Sequence, residues 1–182
     1  DFEADDVIAT LASRLTGPII VVSGDRDLVQ VIDDERQVML LYTAAGGMDA
    51  WPLLDSAAAT ERFGVPPARY ADFAVLRGDP SDGLPGVPGI GAKTAASLID
   101  AFGDLEGILR ACEAPRKPLT PRLVALLQEY APAVRAAAPV VHLVRDLPIP
   151  DDVNLPTTPR DPAALAQLQQ EWGVAKFAVL PG

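Results

Sequence analysis

Three short stretches concentrate carboxylates: Glu3-Ala4-Asp5-Asp6, Ser23-Gly24-Asp25-Arg26-Asp27 and Gly78-Asp79-Pro80-Ser81-Asp82. Carboxylates at this density repel one another unless they share a counter-charge, and hard divalent cations such as Mg²⁺ or Mn²⁺ take oxygen ligands. Two such ions, roughly 3.5–4 Å apart, can activate a water, stabilise a leaving oxygen and neutralise a phosphoryl group. The chemistry suggested is phosphodiester hydrolysis, which needs the carboxylates to converge. Glu3 and Asp6 would share a face of a first helical turn, with Asp5 about 100° around it. Asp25 and Asp27 would project to one side if the local backbone stays extended. Asp79 and Asp82 sit in a turn whose path Gly and Pro neighbours fix. Each cluster also has a local explanation: helix capping for the first, a turn signal for the second, Asx hydrogen bonding for the third.

Directly behind the third cluster runs Leu84-Pro-Gly-Val-Pro-Gly-Ile-Gly-Ala-Lys-Thr-Ala95. Glycines at 86, 89 and 91 allow positive φ and close approach of backbone to a phosphate. A helix beginning at Gly91 or Ala92 would aim its unpaired N–H groups at the same place. Lys93 and the Thr94 hydroxyl fall in that first turn, while Ile90 can plug inward. Gly86, Gly89, Ile90, Gly91, Lys93 and Thr94 thus read as a hairpin that grips nucleic-acid backbone without reading bases. The alternative is a plain Gly-rich turn between helices. Metal-binding acid joined to a motif that holds phosphodiester points to a nuclease.

Composition tempers this. The 182 residues suit one sizeable core or one main domain with a helical extension, and carry a formal charge of -10. Nucleic-acid binding is normally carried by a basic face. The acid is uneven, however: residues 1–35 hold nine Asp/Glu against two Arg, and bound metal would cancel part of that charge. Hydrophobic residues make up 49% but aromatics only 5%, so the core must be mostly aliphatic. The single cysteine, Cys112, excludes an internal disulfide and multi-cysteine zinc sites. The single histidine, His142, lies among Val140, Val141, Leu143 and Val144 and reads as packed or half-exposed rather than catalytic; Trp51 and Trp172 read as packing residues. No apolar run approaches the roughly 18 residues that span a bilayer, and the sequence reads as a soluble cytoplasmic protein.

The elements that would position these groups follow from periodicity. Val7, Ile8, Leu11 and Leu15 predict a helix over about Glu3 to Arg14, stopped by Thr16-Gly17-Pro18. Ile19-Ile20-Val21-Val22 predicts a strand buried on both faces. Helix, buried strand and acid at the strand's C-terminal end make an α/β arrangement, in which ligands bind beyond that end. A short helix over Leu28–Ile32 and a strand over Val38–Tyr42 follow, with a turn back at Gly46-Gly47 through Met48. Helices are predicted for Asp55–Phe63, Ala68–Arg77, Ala92–Phe102 and Asp104–Cys112. Beyond a loop at 113–121 the chain reads as mostly helical, with a Pro-rich break near 148–162 and a last helix over Ala163–Trp172.

The order of Glu-Ala-Asp-Asp-Val-Ile, Ser-Gly-Asp-Arg-Asp-Leu and Leu-Arg-Gly-Asp-Pro-Ser-Asp-Gly-Leu-Pro-Gly-Val-Pro-Gly-Ile-Gly-Ala-Lys-Thr-Ala resembles the 5′→3′ exonuclease and flap endonuclease family. Bacterial members stand alone or form the N-terminal domain of DNA polymerase I. The resemblance implies an α/β, PIN-like nuclease sheet with flanking helices over residues 1–75. A helical subdomain over 76–182 would carry a helix-hairpin-helix (helix-three-turn-helix) motif at 84–102. It implies Glu3, Asp5, Asp6, Asp25, Asp27, Asp79 and Asp82 as ligands of two or more Mg²⁺ or Mn²⁺ ions. The hairpin would hold duplex DNA and, as in some members, K⁺. The implied activity is sequence-independent cleavage of 5′ flaps and 5′ ends in replication and repair, with a DNA polymerase as a partner. The family begins with a strand bearing a further metal-binding Asp, then a basic arch. Neither precedes Asp1 here, so a sheet without its first strand, and with an exposed edge, is expected. Gly83 stands where many relatives carry Asn. Two other functions compete. One is a DNA-binding fragment that grips duplex without cutting. The other is a haloacid-dehalogenase-type phosphatase, which would need a phosphate-binding Lys between its two motifs, whereas Lys93, Lys117 and Lys176 all follow Asp82.

Overall fold

The computed structural model describes residues 2–44, 46–80, 83–150 and 161–173. Helix α1 (Ala4–Arg14) opens on a reciprocal cap in which the Glu3 side chain accepts from the Asp6 backbone and the Asp6 carboxylate accepts from Glu3 N. Strand β1 (Ile19–Ser23) follows, then a 3₁₀ turn (Asp27–Val31), β2 (Val38–Tyr42), a second 3₁₀ turn (Met48–Ala50) and β3 (Leu53–Leu54). Strand β1 pairs in parallel with β2, from Ile19↔Val38 to Ser23↔Tyr42, and β2 pairs antiparallel with β3 at Leu40↔Leu54. The return strand begins later than the Gly46-Gly47 turn alone suggests, because the second 3₁₀ turn intervenes.

The order β1-β2-β3 leaves β1 at an edge. Val21 is buried, but Ile20 and Val22 are 52% and 60% exposed. The expected double burial of this strand is therefore corrected: its continuous β-branched run covers the core with one face only.

Helix α2 (Ser56–Phe63) is capped by the Asp55 carboxylate, which accepts from Ala58 N, and closes on Gly64. A 3₁₀ turn (Pro67–Arg69) leads into α3 (Tyr70–Arg77), so the predicted helix starts later and changes pitch. Residues Tyr70 through Leu76 are all buried, because α3 packs against α4 (Ala92–Phe102), α5 (Leu105–Ala111), α6 (Pro121–Val141) and two of the 3₁₀ turns. A helix apolar on every side belongs in a core. Helix α4 starts and stops between Gly91 and Gly103 as the sequence predicts. Burying Leu28, Leu40, Tyr70, Phe73, Leu98, Ile108 and Leu127 stabilises the unit by about 1.5–3 kcal/mol for each large side chain.

Residues up to Leu147 form one compact unit, and those from Pro148 another. The second contains α7 (Pro162–Trp172), capped by the Asp161 carboxylate. The Pro-rich break near 148–162 lies mostly outside the described residues. Trp172, expected to pack, is instead 74% exposed. Among the described residues no helix is long and apolar enough to cross a membrane.

The loop after α3 is pinched. Gly78 and Gly86 both have positive φ, 79° and 63°. A Cβ on Gly86 would stand 2.5 Å from Gly78 N and 2.6 Å from Arg77 C, whereas one on Gly89 would meet nothing within 4 Å. Gly86→Ala is expected to destabilise the fold by about 3 kcal/mol, from strain and backbone collision together. Gly89→Ala, with positive φ alone, should cost about 1 kcal/mol. Urea unfolding of the two variants checks the contrast.

Candidate metal centre and nucleic-acid interface

The first two acid clusters lie within electrostatic reach of each other. Asp5 lies in the first turn of α1, and its carboxyl is held above the ordinary carboxylate value by partial burial, then by Asp25, Glu3 and Asp6 in that order. Parallel pairing of β1 with β2 delivers Ser23 to the end of the strand, and the acid motif turns there. Asp25 N donates to Ser23 Oγ at 3.0 Å and Asp27 N donates to Asp25 Oδ1 at 2.9 Å. This is an Asx-type turn, with Arg26 helical in its backbone and Asp27 opening a 3₁₀ turn. The extended backbone that would project Asp25 and Asp27 to one side is thus absent. Asp25 faces the α1 cluster, while Asp27 lies in the electrostatic surroundings of Tyr70 with Asp79.

Asp6 is committed to structure. Its Oδ2 accepts from Glu3 N at 3.1 Å and its Oδ1 from Val144 N at 2.9 Å. Thr10, fully buried, continues this seam: its hydroxyl donates to Val144 O and accepts from Leu147 N. The segment after α6 therefore runs along α1 and fastens it. Gln30 bonds Val141 O and Leu143 N from the neighbouring 3₁₀ turn. His142 Nε2 lies 3.0 Å from Oδ1 of the buried Asp72 on α3. The single histidine is therefore half-exposed and engaged with a carboxylate of the scaffold.

Asp79 occupies a second environment. Its side chain is 7% exposed, and its Oδ2 accepts from Arg26 Nη2 and Arg77 Nη2, each at 2.9 Å. A buried carboxylate needs such partners, because an unpaired charge there is strongly unfavourable. The backbone of Asp79 bridges Leu84 in both directions, at 3.0 and 2.9 Å. Tyr70 is fully buried beside this cluster, and among the described residues its hydroxyl has no hydrogen-bond partner. Burial pushes that hydroxyl up to about 12, against Arg77 and Arg26, which pull it down. Asp82 lies outside the described residues.

All the implicated donors are hard oxygens, and the mutual repulsion raised at Asp5 is the kind a divalent cation relieves. The donor chemistry fits such an ion. Preassembly does not: among the described residues no three His, Cys, Asp or Glu side chains stand together as a metal site.

The hairpin residues separate by exposure. Gly86 is buried against Gly78, and Ile90 is in the core at 2% exposure. Gly89, Gly91 and Lys93 face solvent, and Thr94 is half-buried. Gly91 caps α4 with extended backbone and no side-chain hydrogen bond, leaving the first-turn N–H groups of α4 uncovered by any capping side chain. Ala95, fully buried, lets α4 seat closely. Arg26, Arg77 and Tyr70 went unremarked in the sequence. The only available signals were an arginine between two aspartates, another at the end of α3, and a tyrosine opening an apolar helix.

Family models match residues 1–163: a 5′-3′ exonuclease N-terminal resolvase-like domain over residues 1–64 and a 5′-3′ exonuclease C-terminal SAM fold over 65–163. The chain belongs to the 5′-3′ exonuclease family. A 5′-3′ exonuclease of Streptomyces coelicolor is 52% identical over 174 residues, covering 95% of this chain and 58% of the relative. One of Mycobacterium tuberculosis is 44% identical, covering 95% and 57%. The chain thus spans rather more than half the length of these family relatives. The DNA polymerase I of Mycobacterium bovis is 41% identical over 88% of this chain and 18% of the polymerase. A solved structure of T5 5′-exonuclease with bound zinc superposes at TM-score 0.65, with 22% identity, covering 79% of this chain and 51% of that one. A T5 flap endonuclease in a pseudo-enzyme–product complex with DNA and metal ions superposes at 0.64, with 21% identity, covering 79% and 50%. These superpositions bear out the expected nuclease-type sheet with flanking helices.

The raised Asp5 carboxyl has a consequence for pH dependence. A group whose folded-state pKa lies above its unfolded value contributes stability below the unfolded pKa and loses it as pH rises through the folded one. Ionised Asp5 is therefore a liability at neutral pH. Asp5→Asn is expected to raise the melting temperature at pH 7, with the gain vanishing below the ordinary carboxylate range, as paired thermal melts in metal-free buffer would show.

Proposed function

We propose that this chain is the metal-dependent, structure-specific 5′ nuclease portion of its protein, hydrolysing DNA phosphodiesters at 5′ ends or flaps in replication and repair. The observation that carries the reading is that Asp25, just past the end of β1, lies within electrostatic reach of Asp5, whose neighbours Glu3 and Asp6 share the start of α1. Glu3, Asp5, Asp6, Asp25, Asp27, Asp79 and Asp82 are the residues that would hold Mg²⁺ or Mn²⁺. When bound, such ions activate water and neutralise charge on the phosphoryl group.

The remaining work falls to the chain. Lys93, Gly89, Gly91 and the N-terminal turn of α4 offer a cation and backbone N–H groups to a phosphodiester, with Thr94 at their margin and Gly86 and Ile90 shaping the hairpin from within. Such a grip positions duplex without reading its sequence. K⁺ at the hairpin is part of the same proposal. So are a polymerase partner, suggested by the polymerase relatives, a cytoplasmic location, and a division into an acidic core over 1–75 and a DNA-holding helical part over 76–182. Family membership favours nuclease over phosphatase chemistry. A second reading, duplex binding without cleavage, draws on the arginine-paired Asp79 and the lack of a preassembled three-ligand group among the described residues.

Cleavage of an end-labelled 5′-flap DNA in low salt with Mn²⁺ tests the two readings. Cleavage that disappears in Asp25→Asn is the expected result. Salt-sensitive binding in Ca²⁺ without cleavage in Mn²⁺ would leave only the binding reading. In either case Lys93→Ala is expected to weaken binding uniformly across sequences and to reduce the log–log salt slope by about 1.

A further inference from the structure

The arginine between the two aspartates of the second cluster has its own task. Arg26 and Arg77 both donate to the same oxygen, Oδ2, of a carboxylate that is almost completely buried. That oxygen belongs to an acidic residue of the proposed metal set, and a cation at this carboxylate would have two guanidiniums as competitors for its charge. The two arginines are not equivalent. Arg77 is 23% exposed, its Nε donates to Gly78 O at 3.0 Å, and its guanidinium sits 5.1 Å from the centre of the Phe73 ring. It is part of the packing at the end of α3. Arg26 is 42% exposed and projects from the turn that carries Asp25 and Asp27. Beside the pair lies the buried Tyr70 hydroxyl, without a hydrogen-bond partner among the described residues, so this corner holds polar capacity that the present arrangement leaves unused.

We propose that Arg26 is a resident counter-ion of Asp79 that competes with a divalent cation and is displaced by it, making it a positioning residue that sets metal affinity at this carboxylate. The proposal rests on the metal-dependent reading given above. In the metal-free protein Arg26 keeps a buried carboxylate neutralised. With a cation at Asp79, Arg26 would be repelled from the carboxylate, while Arg77, held by Gly78 O and the Phe73 ring, would remain to orient it. The displaced guanidinium then stands next to Asp25 and Asp27, where a phosphodiester would be drawn to it.

Titration of Mn²⁺ into the 182-residue chain, followed by electron paramagnetic resonance without DNA, reads this directly. Arg26→Gln is expected to bind Mn²⁺ roughly fivefold more tightly than wild type, the weight of a half-exposed ion pair. Arg26→Lys, which keeps the charge but not the planar fork, should fall between them. A merely structural role predicts the reverse, because a loosened site binds metal more weakly. Unchanged or weaker binding by Arg26→Gln at an undiminished melting temperature overturns the proposal. If that variant does not fold, crystals of the wild-type chain grown in Mn²⁺ decide. Asp79 on the metal with Arg26 detached supports displacement; Arg26 still on Asp79 with metal elsewhere overturns it. Failure of the wild-type chain to bind Mn²⁺ at all would instead sink the metal-dependent reading, and the proposal with it.

Discussion

The backbone contact between Gly78 and Gly86 is the constraint on which the arrangement turns. Two positive-φ glycines let the chain leave α3, fold over the Asp79–Leu84 bridge and return with no side chain between the two backbones. Val87 N then donates to Leu76 O, closing the loop onto the helix it came from. Five residues later α4 begins. The buried Asp79 carboxylate and the solvent-facing start of α4 therefore belong to one rigid piece of backbone. A side chain at either glycine would separate the acid from the hairpin or break the bridge, so two glycines link a candidate catalytic group to a candidate DNA grip.

That piece needs a fixed reference, and α3 provides it. Because Tyr70 through Leu76 are buried on all sides, α3 can shift only if α4, α5 and α6 shift together. Close-packed interiors resist such motion. The polar attachments extend the reference to the acidic helix. Asp72 on α3 meets His142 at the end of α6, the following residues lie along α1 through Asp6 and Thr10, and Gln30 of the first 3₁₀ turn holds Val141. Hydrogen bonds to a charged acceptor, such as Val144 N to Asp6, contribute about 1.5–3 kcal/mol each. A carboxylate implicated in metal binding thus also fastens the chain's return path. Both uses draw on the same oxygens, so occupancy of Asp6 by a cation would loosen the seam at Val144.

Much of this was legible in the sequence wherever local rules decided the outcome. Helix α4 was predicted to the residue because glycines stand at both its ends, and β2 because five apolar residues suit a strand over a core. The hairpin was legible because glycine spacing is a statement about backbone. Three features were not. Whether β1 is covered on one face or two depends on what lies beyond its edge, and Ile20 and Val22 look alike in either case. The turn at Asp25 hinges on the Ser23 hydroxyl and the Asp25 carboxylate capturing backbone N–H groups, which competes with extension and wins once β1 ends. The pairing of Asp79 with Arg26 joins residues more than fifty positions apart, and no periodicity encodes that.

The electrostatics explain why an acidic chain can be read as a partner of DNA. Its carboxylates are not one field. Around Asp5 partial burial, and then the repulsion of Asp25, Glu3 and Asp6, raises the carboxyl, and a cation would relieve the second of these. Around Asp79 two guanidiniums already supply positive charge, so the same residue type is stable there without metal. Burial makes the difference: Asp5 is partly open to water, which screens its repulsion, whereas Asp79 is nearly closed off and must be paired to exist as an anion at all. A divalent cation approaching such a chain would relieve repulsion around Asp5 and compete with guanidiniums at Asp79.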